Sequence, residues 1–318
     1  MIRSSGGCAR GSARPSRSLR IGRPRRAPAT RWITAAAAAL GAGLALAASA
    51  AQEFNGRVSI ADGGPLTVIR RDELLSGSRG GTLLAGDMIQ TSPETFAVIE
   101  VGDSATIGLG PATQLYVQQR GEQTILMVPK GWIKVDCRSG SVRLVGRRLG
   151  VEVRQGVVLL HADERADALF DEQGPASLLL HDGASLRAGQ QTQAGQFYLR
   201  MGGDALIVQP RPSAEFVERM PVPFRDPLPT GVAMRAGSTA LQSVRTVTYA
   251  DVQPWLTMPP DWRGGLIERF RGRLQDHAFF AAMEAHLAQH PEWKRVLYPP
   301  PPEGAPGESP PPVSSTTH

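Results

Sequence analysis

Residues 96–117 read Phe-Ala-Val-Ile-Glu-Val-Gly-Asp-Ser-Ala-Thr-Ile-Gly-Leu-Gly-Pro-Ala-Thr-Gln-Leu-Tyr-Val. Three short apolar runs, rich in β-branched residues, are separated here by Gly-Asp-Ser and Gly-Pro-Ala, which are typical of tight turns. Because each run is too short for a helix and ends at a turn signal, this stretch predicts three consecutive β-strands.

The same rhythm extends on both sides, from Phe54 to about Pro212. Similar short runs lie at 66–69, 125–128, 142–145 and 157–160, and runs recur roughly every 8 to 12 residues, the spacing of an all-β sandwich, barrel or solenoid. No long amphipathic window interrupts them. We therefore predict a mainly β protein, with many short strands in a sandwich-like or solenoid-like domain over residues 51–212.

The pattern changes after this domain. Seven prolines punctuate residues 213–260, which predicts an extended connector on the surface of the β domain. Apolar residues at helical spacing then predict a small C-terminal helical segment over 261–298, with Asp261 and Asp276 as N-caps. The proline-rich tail, residues 299–318, cannot form a core and is expected to be disordered or polyproline-like.

The first 50 residues have the order of an export signal. A basic stretch without acidic residues leads into an Ala-rich apolar run of about 16 residues, followed by Ala48-Ser49-Ala50. This order predicts a cleaved signal peptide over residues 1–50 and a periplasmic or secreted protein. The alternative is an uncleaved membrane anchor, which would also export the residues after 51.

The charge distribution argues against nucleic-acid binding. The chain has 35 Lys and Arg against 29 Asp and Glu, a formal charge of +6, but nine of the arginines precede residue 32. Without them, 26 basic residues face 29 acidic ones, so the remainder carries −3. A basic nucleic-acid footprint is therefore not expected in the exported part.

The segment 83–117 resembles the core signature of FecR-like domains, the periplasmic domains of iron-citrate-type sensor-regulators. The matching positions are Gly86, Asp87, Ile89, Thr91, Ala97, Asp103, Ser104, Leu109, Gly110 and Pro111. The resemblance implies a non-catalytic β domain that makes protein or envelope contacts. Gly86, Asp87, Asp103, Gly110 and Pro111 are its turn residues.

The chain departs from sigma-regulating members of that family, because its N-terminal stretch is too basic and too rich in Pro and Gly for a cytoplasmic helix bundle. The resemblance thus implies a freestanding exported FecR-like protein, not an enzyme, that acts as a sensor, scaffold or adaptor. Its partner is expected to be an unknown envelope protein.

A local cluster of basic residues supports a second hypothesis. Residues 130 to 154 include seven basic residues and only two acidic ones, Asp136 and Glu152, which gives a local charge of +5. This predicted basic strip suits an anionic envelope polymer or peripheral contact with a membrane; the alternative is a solvated hairpin. Its members are Lys130, Lys134, Arg138, Arg143, Arg147, Arg148 and Arg154.

Few residues suggest catalysis, a metal or a cofactor, and we predict none of the three. Cys137 is the only Cys of the exported part; it is either a nucleophile paired with His161 or, as we predict, a small buried apolar residue. His286 and His290 have helical spacing for a metal but no third ligand. The adjacent acids at 163–164 and 171–172 suit glycoside hydrolysis or, more simply, solvated turns.

Overall fold

The computed structural model describes residues 54–182, 185–203, 205–232 and 239–300. The predicted signal peptide and residues 301–318 of the predicted tail lie outside these ranges. Eighteen strands occupy the described residues, which confirms the mainly β prediction. The strands are β1 (Asn55–Asp62), β2 (Leu66–Arg70), β3 (Glu73–Gly77), β4 (Thr82–Leu84), β5 (Met88–Gln90), β6 (Phe96–Val101), β7 (Ala105–Leu109), β8 (Gln114–Arg120), β9 (Gln123–Cys137), β10 (Val142–Val145), β11 (Leu149–Val153), β12 (Gly156–Ala162), β13 (Ala166–Gln173), β14 (Ser177–Asp182), β15 (Ser185–Gln191), β16 (Phe197–Met201), β17 (Ile207–Gln209) and β18 (Gln242–Thr246).

The strands form two layers that share β9. In the described residues, sheet A has the order β4-β1-β6-β7-β9-β12-β13-β16-β17. Sheet B has the order β18-β3-β2-β5-β8-β9-β10-β11-β14-β15. Pairing is antiparallel except between β9 and β10. Side chains from both sheets meet in one buried apolar cluster, so the layers form a sandwich.

The 15-residue strand β9 passes from one layer to the other. Residues up to Lys130 pair with β8 in sheet B, whereas Gly131 to Cys137 pair with β12 in sheet A. The change occurs at Gly131, whose φ of 105° favours glycine. A Cβ at this position would lie 2.4 Å from the Cα of Thr113. The crossing therefore depends on glycine for both conformation and space.

A C-terminal segment covers the outer face of each sheet. The segment 213–228, with α1 (Ala214–Arg219) and a 3-10 turn (Val222–Phe224), lies on sheet A. It packs Phe216, Met220, Phe224 and Leu228 against Trp132, Leu159, Ala168 and Phe197. Glycines make room for it, because a Cβ on Gly108 would lie 2.7 Å from the Phe224 ring.

The remaining helices lie on the outer face of sheet B. They are α2 (Tyr249–Leu256), α3 (Pro260–Phe270), α4 (His277–Ala285) and α5 (Lys294–Leu297). Trp255, Trp262 and Phe270 are among the side chains that pack against Ile69, Met88, Ile125, Met127 and Val145 of the sheet. The helices thus complete a second apolar core, which explains their one-sided apolar pattern.

Two details differ from the sequence-based expectations. The segment assigned to a connector contains α1, β18 and α2, because local caps and edge pairing outweigh its prolines. Asp261 is not an N-cap; α3 begins at Pro260, so Asp261 lies in its first turn. The other cap is confirmed, since the Oδ1 atom of Asp276 accepts hydrogen bonds from the N–H groups of Ala278 and Phe279, at 2.9 and 3.2 Å.

Candidate functional site

Asp87 of the FecR-like signature stabilises the turn between β4 and β5. Its side chain is fully buried and accepts two hydrogen bonds from Arg70, Nε to Oδ1 at 2.8 Å and Nη2 to Oδ2 at 2.6 Å. The Leu84 N–H donates to the same Oδ2 at 2.8 Å. The neighbouring Gly86 has a φ of 90°, and its carbonyl accepts a hydrogen bond from Arg269 of α3. Asp87 therefore holds the turn in place, and the Gly86 carbonyl links the turn to helix α3.

The second signature turn, Gly110-Pro111, is held by Thr91. The Thr91 hydroxyl donates to the Gly110 carbonyl at 2.7 Å and accepts from the Thr113 N–H at 2.8 Å. The Gly110 N–H in turn donates to the Trp132 carbonyl at 2.9 Å. Asp103 differs, because it is exposed in the turn between β6 and β7. All five residues thus lie in turns; Asp103 also lines the smaller of the two clefts described below, and the other four line neither of them.

The structure does not bring the predicted basic strip together on one face. Register places Arg138 and Arg154 at one end of the sandwich, and Lys130 with Arg147 and Arg148 at the other. Arg143 lies on the outer face of sheet B, opposite Glu152. The pattern was misleading because β9 crosses between the layers and a hairpin follows it, so neighbours in sequence point to different parts of the surface.

Lys134 is buried and cannot contact a partner. Its side chain is 2% exposed, and its Nζ atom lies 2.7 Å from the Glu172 carboxylate. The same atom donates to the carbonyls of Phe224 at 2.9 Å and Asp226 at 3.1 Å. Lys134 therefore fastens the 213–228 segment to sheet A. Its inclusion in a contact surface is wrong.

Arg148 also has an internal role. Its guanidinium donates to the carbonyls of Asp163, at 2.9 Å, and Glu164. The backbone N–H groups of Arg148 and Leu149 donate to Oδ2 of the fully buried Asp167, at 2.5 and 3.0 Å. Burial raises the pKa of Asp167 to about 6, although these hydrogen bonds oppose the shift. This contact joins the β10–β11 turn of sheet B to β13 of sheet A.

Two clefts open at the end of the sandwich that carries Arg138 and Arg154, which we call the open end. The larger, about 800 Å3, lies between the turns at 154–156 and 173–176. The smaller, about 450 Å3, lies beside Phe54 and the turn at 102–104. The segment 137–142 separates them, since it contributes to both walls. Clefts of this size suit a short peptide or a small ligand.

Charges in the larger cleft are balanced in pairs. Glu152 lies 2.9 Å from Arg143 and 3.3 Å from Arg154, and Asp136 lies 3.8 Å from Arg138. The hydrogen bond from Arg143 is the main reason that the pKa of Glu152 is lowered. Amide and hydroxyl side chains supply most of the remaining polar lining: Gln155, Gln173, Ser177 and Gln191. The cleft is therefore polar and close to neutral.

This cleft was not found by sequence reasoning. Its walls come from turns that are far apart in the chain, and its glutamines form no motif. The sequence contained one signal for it, the glycines at positions 156 and 174. In the structure both lie in the turns of the cleft, with φ of 142° and 96°. Glycine at two such turns permits the close approach of their backbones.

The structure separates Cys137 from His161. Cys137 pairs with Gly156 and His161 with Trp132, at opposite ends of the β9–β12 ladder. Cys137 is 1% exposed within the central core, as predicted. Burial raises the pKa of its thiol, which disfavours the nucleophilic thiolate. His161 packs against Trp132 with ring centroids 4.2 Å apart, and burial lowers its pKa to about 4.

The histidine pair is engaged by protein groups. The His286 ring stacks on Tyr249 at 4.9 Å, and its Nδ1 atom lies 2.8 Å from the Ala282 carbonyl. The Nε2 atom of the buried His290 lies 3.2 Å from the Tyr249 hydroxyl. In the described ranges, no group of three or more His, Cys, Asp or Glu residues is placed to hold a metal ion.

The adjacent acids do not form facing pairs. Asp171 is buried and accepts a hydrogen bond from the Thr192 hydroxyl at 2.5 Å, whereas Glu172 points to the other face of β13 and pairs with Lys134. Asp163 accepts hydrogen bonds from the N–H groups of Arg165 and Ala166 at 2.7 and 2.8 Å. These contacts are structural and do not match the two-carboxylate arrangement of glycosidases.

Comparisons with known proteins find only remote likeness. No model of a protein family matches the chain, and no curated protein matches it. Two crystal structures of a "putative anti-sigma factor" from Parabacteroides distasonis ATCC 8503 are similar, each with a TM-score of 0.35, at 12% and 10% identity. Each match covers 41% of this chain and 62% of the other, so this chain spans less than two thirds of their length. A likeness this weak assigns neither family nor activity.

The described part of the chain was also searched for membrane spans. None of its helices has both the length and the apolar character needed to cross a bilayer.

Proposed function

We propose that this chain is an exported, non-enzymatic FecR-like protein that acts as a sensor, scaffold or adaptor by binding another protein of the cell envelope. The observation that carries the proposal is that the residues of the FecR-like signature stabilise turns, whereas other turns of the sandwich form a cleft. Asp87, Thr91 and Gly110 stabilise turns, while the larger of the two clefts is polar, paired in charge and built from other turns. Such an arrangement suits recognition by a rigid scaffold.

The covered sheet faces support the same proposal. Helices lie on sheet B and the 213–228 segment lies on sheet A, so the broad apolar faces are used internally. The strand edges and the open end are among the surfaces that remain for a partner. Edges and clefts offer backbone hydrogen bonds and shaped recesses, which are the elements of peptide and protein recognition.

Export is tested first, in the native host. We expect protein recovered from the periplasmic fraction to begin at or near residue 51, as read by N-terminal sequencing. Recovery of a membrane-bound form that begins before residue 31 would support the uncleaved anchor. Recovery of the unprocessed chain from the cytoplasm would contradict export.

Partner binding is tested with the tagged full chain, cross-linked in intact cells and purified from the envelope. We expect one envelope protein to be enriched, with the same yield for Arg147→Glu and Lys130→Glu, because the proposal does not depend on the basic strip. The opposite result would be sedimentation with isolated cell wall or anionic vesicles that salt and these two variants weaken. That result would replace the adaptor proposal by polymer or membrane binding.

A further inference from the structure

His290 joins residues 286–298, which we call the terminal turns, to two helices of the cover over sheet B. The side chain is buried, with the whole residue 1% exposed. Its Nε2 atom lies 3.2 Å from the Tyr249 hydroxyl of α2, and its Nδ1 atom lies 3.5 Å from Nη1 of Arg263 in α3. The ring is therefore a point of contact between three parts of the cover.

The terminal turns close one part of the apolar core over sheet B. Trp293 is fully buried and Leu297 is 8% exposed, and both belong to the cluster that contains Trp255 and Phe270. The turns consist of two 3-10 turns of three residues each and the four-residue helix α5. Helical pieces this short are not stable by themselves. Their position therefore depends on the packing of Trp293 and Leu297 and on the contacts of His290.

The hydrogen bonds of His290 require a neutral ring. A neutral imidazole has one donor and one acceptor nitrogen, whereas an imidazolium has two donors and no acceptor. The Arg263 guanidinium can only donate, so its contact with Nδ1 is favourable only while Nδ1 carries no proton. A second proton would place the N–H groups of two cations against each other inside the cover.

Arg263 is held beside the ring and does not move away freely. Its Nη1 atom donates to the Leu256 carbonyl at 2.8 Å and lies 3.0 Å from the Glu292 carboxylate. Burial is the main cause that lowers the pKa of His290; the charges of Arg263 and His286 lower it further, and Glu292 opposes them. The groups that face the ring are Tyr249 of α2, Arg263 of α3, His286 at the end of α4 and Glu292 of the following 3-10 turn.

The sign of the pH effect follows from this direction. The pKa of His290 is lower in the closed cover than its ordinary value of 6.5, so the closed form takes up the proton less readily than an opened form. The closed form is therefore fully favoured above about pH 6.5 and loses stability as the pH falls below that value.

We propose that the terminal turns open in acid: protonation of His290 against Arg263 releases residues 286–298 and exposes Trp293 to water, while the sandwich stays folded. This inference goes beyond the proposed function, and its use in the cell, as a response to acid outside the cytoplasm, rests on the proposed export. Local opening of a short, weakly held segment requires far less free energy than unfolding of the sheets.

Hydrogen–deuterium exchange of the purified full chain, read by mass spectrometry, measures this opening. Exchange rates near pH 7.5 and near pH 5 are compared after each is divided by the intrinsic exchange rate at that pH. We expect peptides from residues 286–298 to exchange at least about five-fold faster near pH 5. Peptides from β6 and β7 should change by less than about two-fold.

His290→Gln tests the assigned residue, because the glutamine amide keeps a donor and an acceptor but does not titrate. We expect its terminal turns to change by less than about two-fold between the two pH values. His161→Gln is the matched control. His161 is also buried, packs on sheet A, and has a pKa lowered to about 4, so this variant should keep the full acid response.

Arg263→Gln gives an independent test that does not require His290→Gln to fold. Without the guanidinium, Glu292 remains beside His290 and favours the protonated ring. We expect the acid response of the terminal turns to fall to less than about half of the wild-type response. Melting temperatures near pH 7.5 verify that each variant is folded.

Three results would overturn the proposal. The first is a wild-type chain whose terminal turns exchange equally at both pH values. The second is an acid response that His290→Gln or Arg263→Gln leaves unchanged. The third is an equal acid response in β6 and β7, which would show that the whole chain unfolds. The experiment needs neither a partner nor export, so its failure would leave the adaptor proposal intact, and failure to find a partner would leave this opening intact.

Discussion

Lys134 shows how a buried charge is accommodated on the outer face of a β-sheet. Its ammonium group is satisfied by the Glu172 carboxylate and by two carbonyls of the segment that covers it. Burial raises the pKa of Glu172, while the hydrogen bond and charge of Lys134 oppose that shift. The ion pair between Lys134 and Glu172 is therefore needed to satisfy both charges once the 213–228 segment has buried them.

We predict that Lys134→Met destabilises the protein by about 3 kcal/mol, because Glu172 and two carbonyls lose their buried partner. Urea unfolding followed by circular dichroism measures the change. Lys130→Met is the matched control: this lysine is exposed on the same strand, and its replacement should cost less than about 0.5 kcal/mol. Equal losses in the two variants would refute the assigned role.

Asp167 gives a prediction for pH dependence. Arg148, Leu149, Arg147, Arg200 and His181 lie around the carboxyl group or the turn that it holds. Its folded pKa of about 6 exceeds the ordinary value of 3.8, so the folded state binds the proton more tightly. Its contribution to stability is fully present below about pH 4 and is lost as the pH rises through 6.

Asp167→Asn removes this titration. We expect the variant to gain stability relative to wild type between pH 4 and pH 7, by up to about 3 kcal/mol. Urea unfolding at four pH values across that range measures the difference. A difference that does not change with pH, or that changes in the opposite direction, would show that Asp167 is ionised as readily in the folded chain as in the unfolded one.

At the scale of elements, β9 determines how the two layers are joined. One continuous strand contributes to both sheets, and its inward side chains, such as Leu126, Val128 and Val135, belong to the same core. Its outward side chains meet two different covers, the helices at Met127 and the 213–228 segment at Trp132. The strand therefore contacts both sheets and both of the segments that cover them.

We predict that Gly131→Ala costs at least about 3 kcal/mol, because the added Cβ combines a disallowed φ with a backbone clash. Gly121 is the matched control, with a positive φ of 59° but no atom within 4 Å of an added Cβ. Gly121→Ala should cost only about 1 kcal/mol. Thermal unfolding of the two variants tests this order, and similar losses would contradict the crowded crossing.

At the scale of the whole molecule, the helices and the sandwich share side-chain contacts that predict joint unfolding. Trp132 reports on the cover of sheet A, and Trp255, Trp262 and Trp293 report on the cover of sheet B. Arg269 adds a polar link between α3 and the turn at Gly86. Loss of the helices would expose Ile69, Met88, Ile125 and Met127 to water.

We therefore expect urea unfolding to be one transition, with the same midpoint by tryptophan emission and by far-ultraviolet circular dichroism. In Trp132→Phe the remaining tryptophans of the described residues all lie in the cover of sheet B, so emission then reports on the helices alone. An early emission change that precedes the loss of β-sheet signal would show that the helices unfold independently.

Local patterns in the sequence determined the mainly β class, the cap at Asp276 and the burial of Cys137, since turn chemistry, capping and hydropathy act over a few residues. Tertiary structure alone decided that Lys134 pairs internally, that the basic strip divides between opposite ends, and that distant turns build a cleft beside β15. The physical reason is that register and the crossing at Gly131 set which side chains meet. Those depend on contacts between residues far apart in the chain, which no local pattern records.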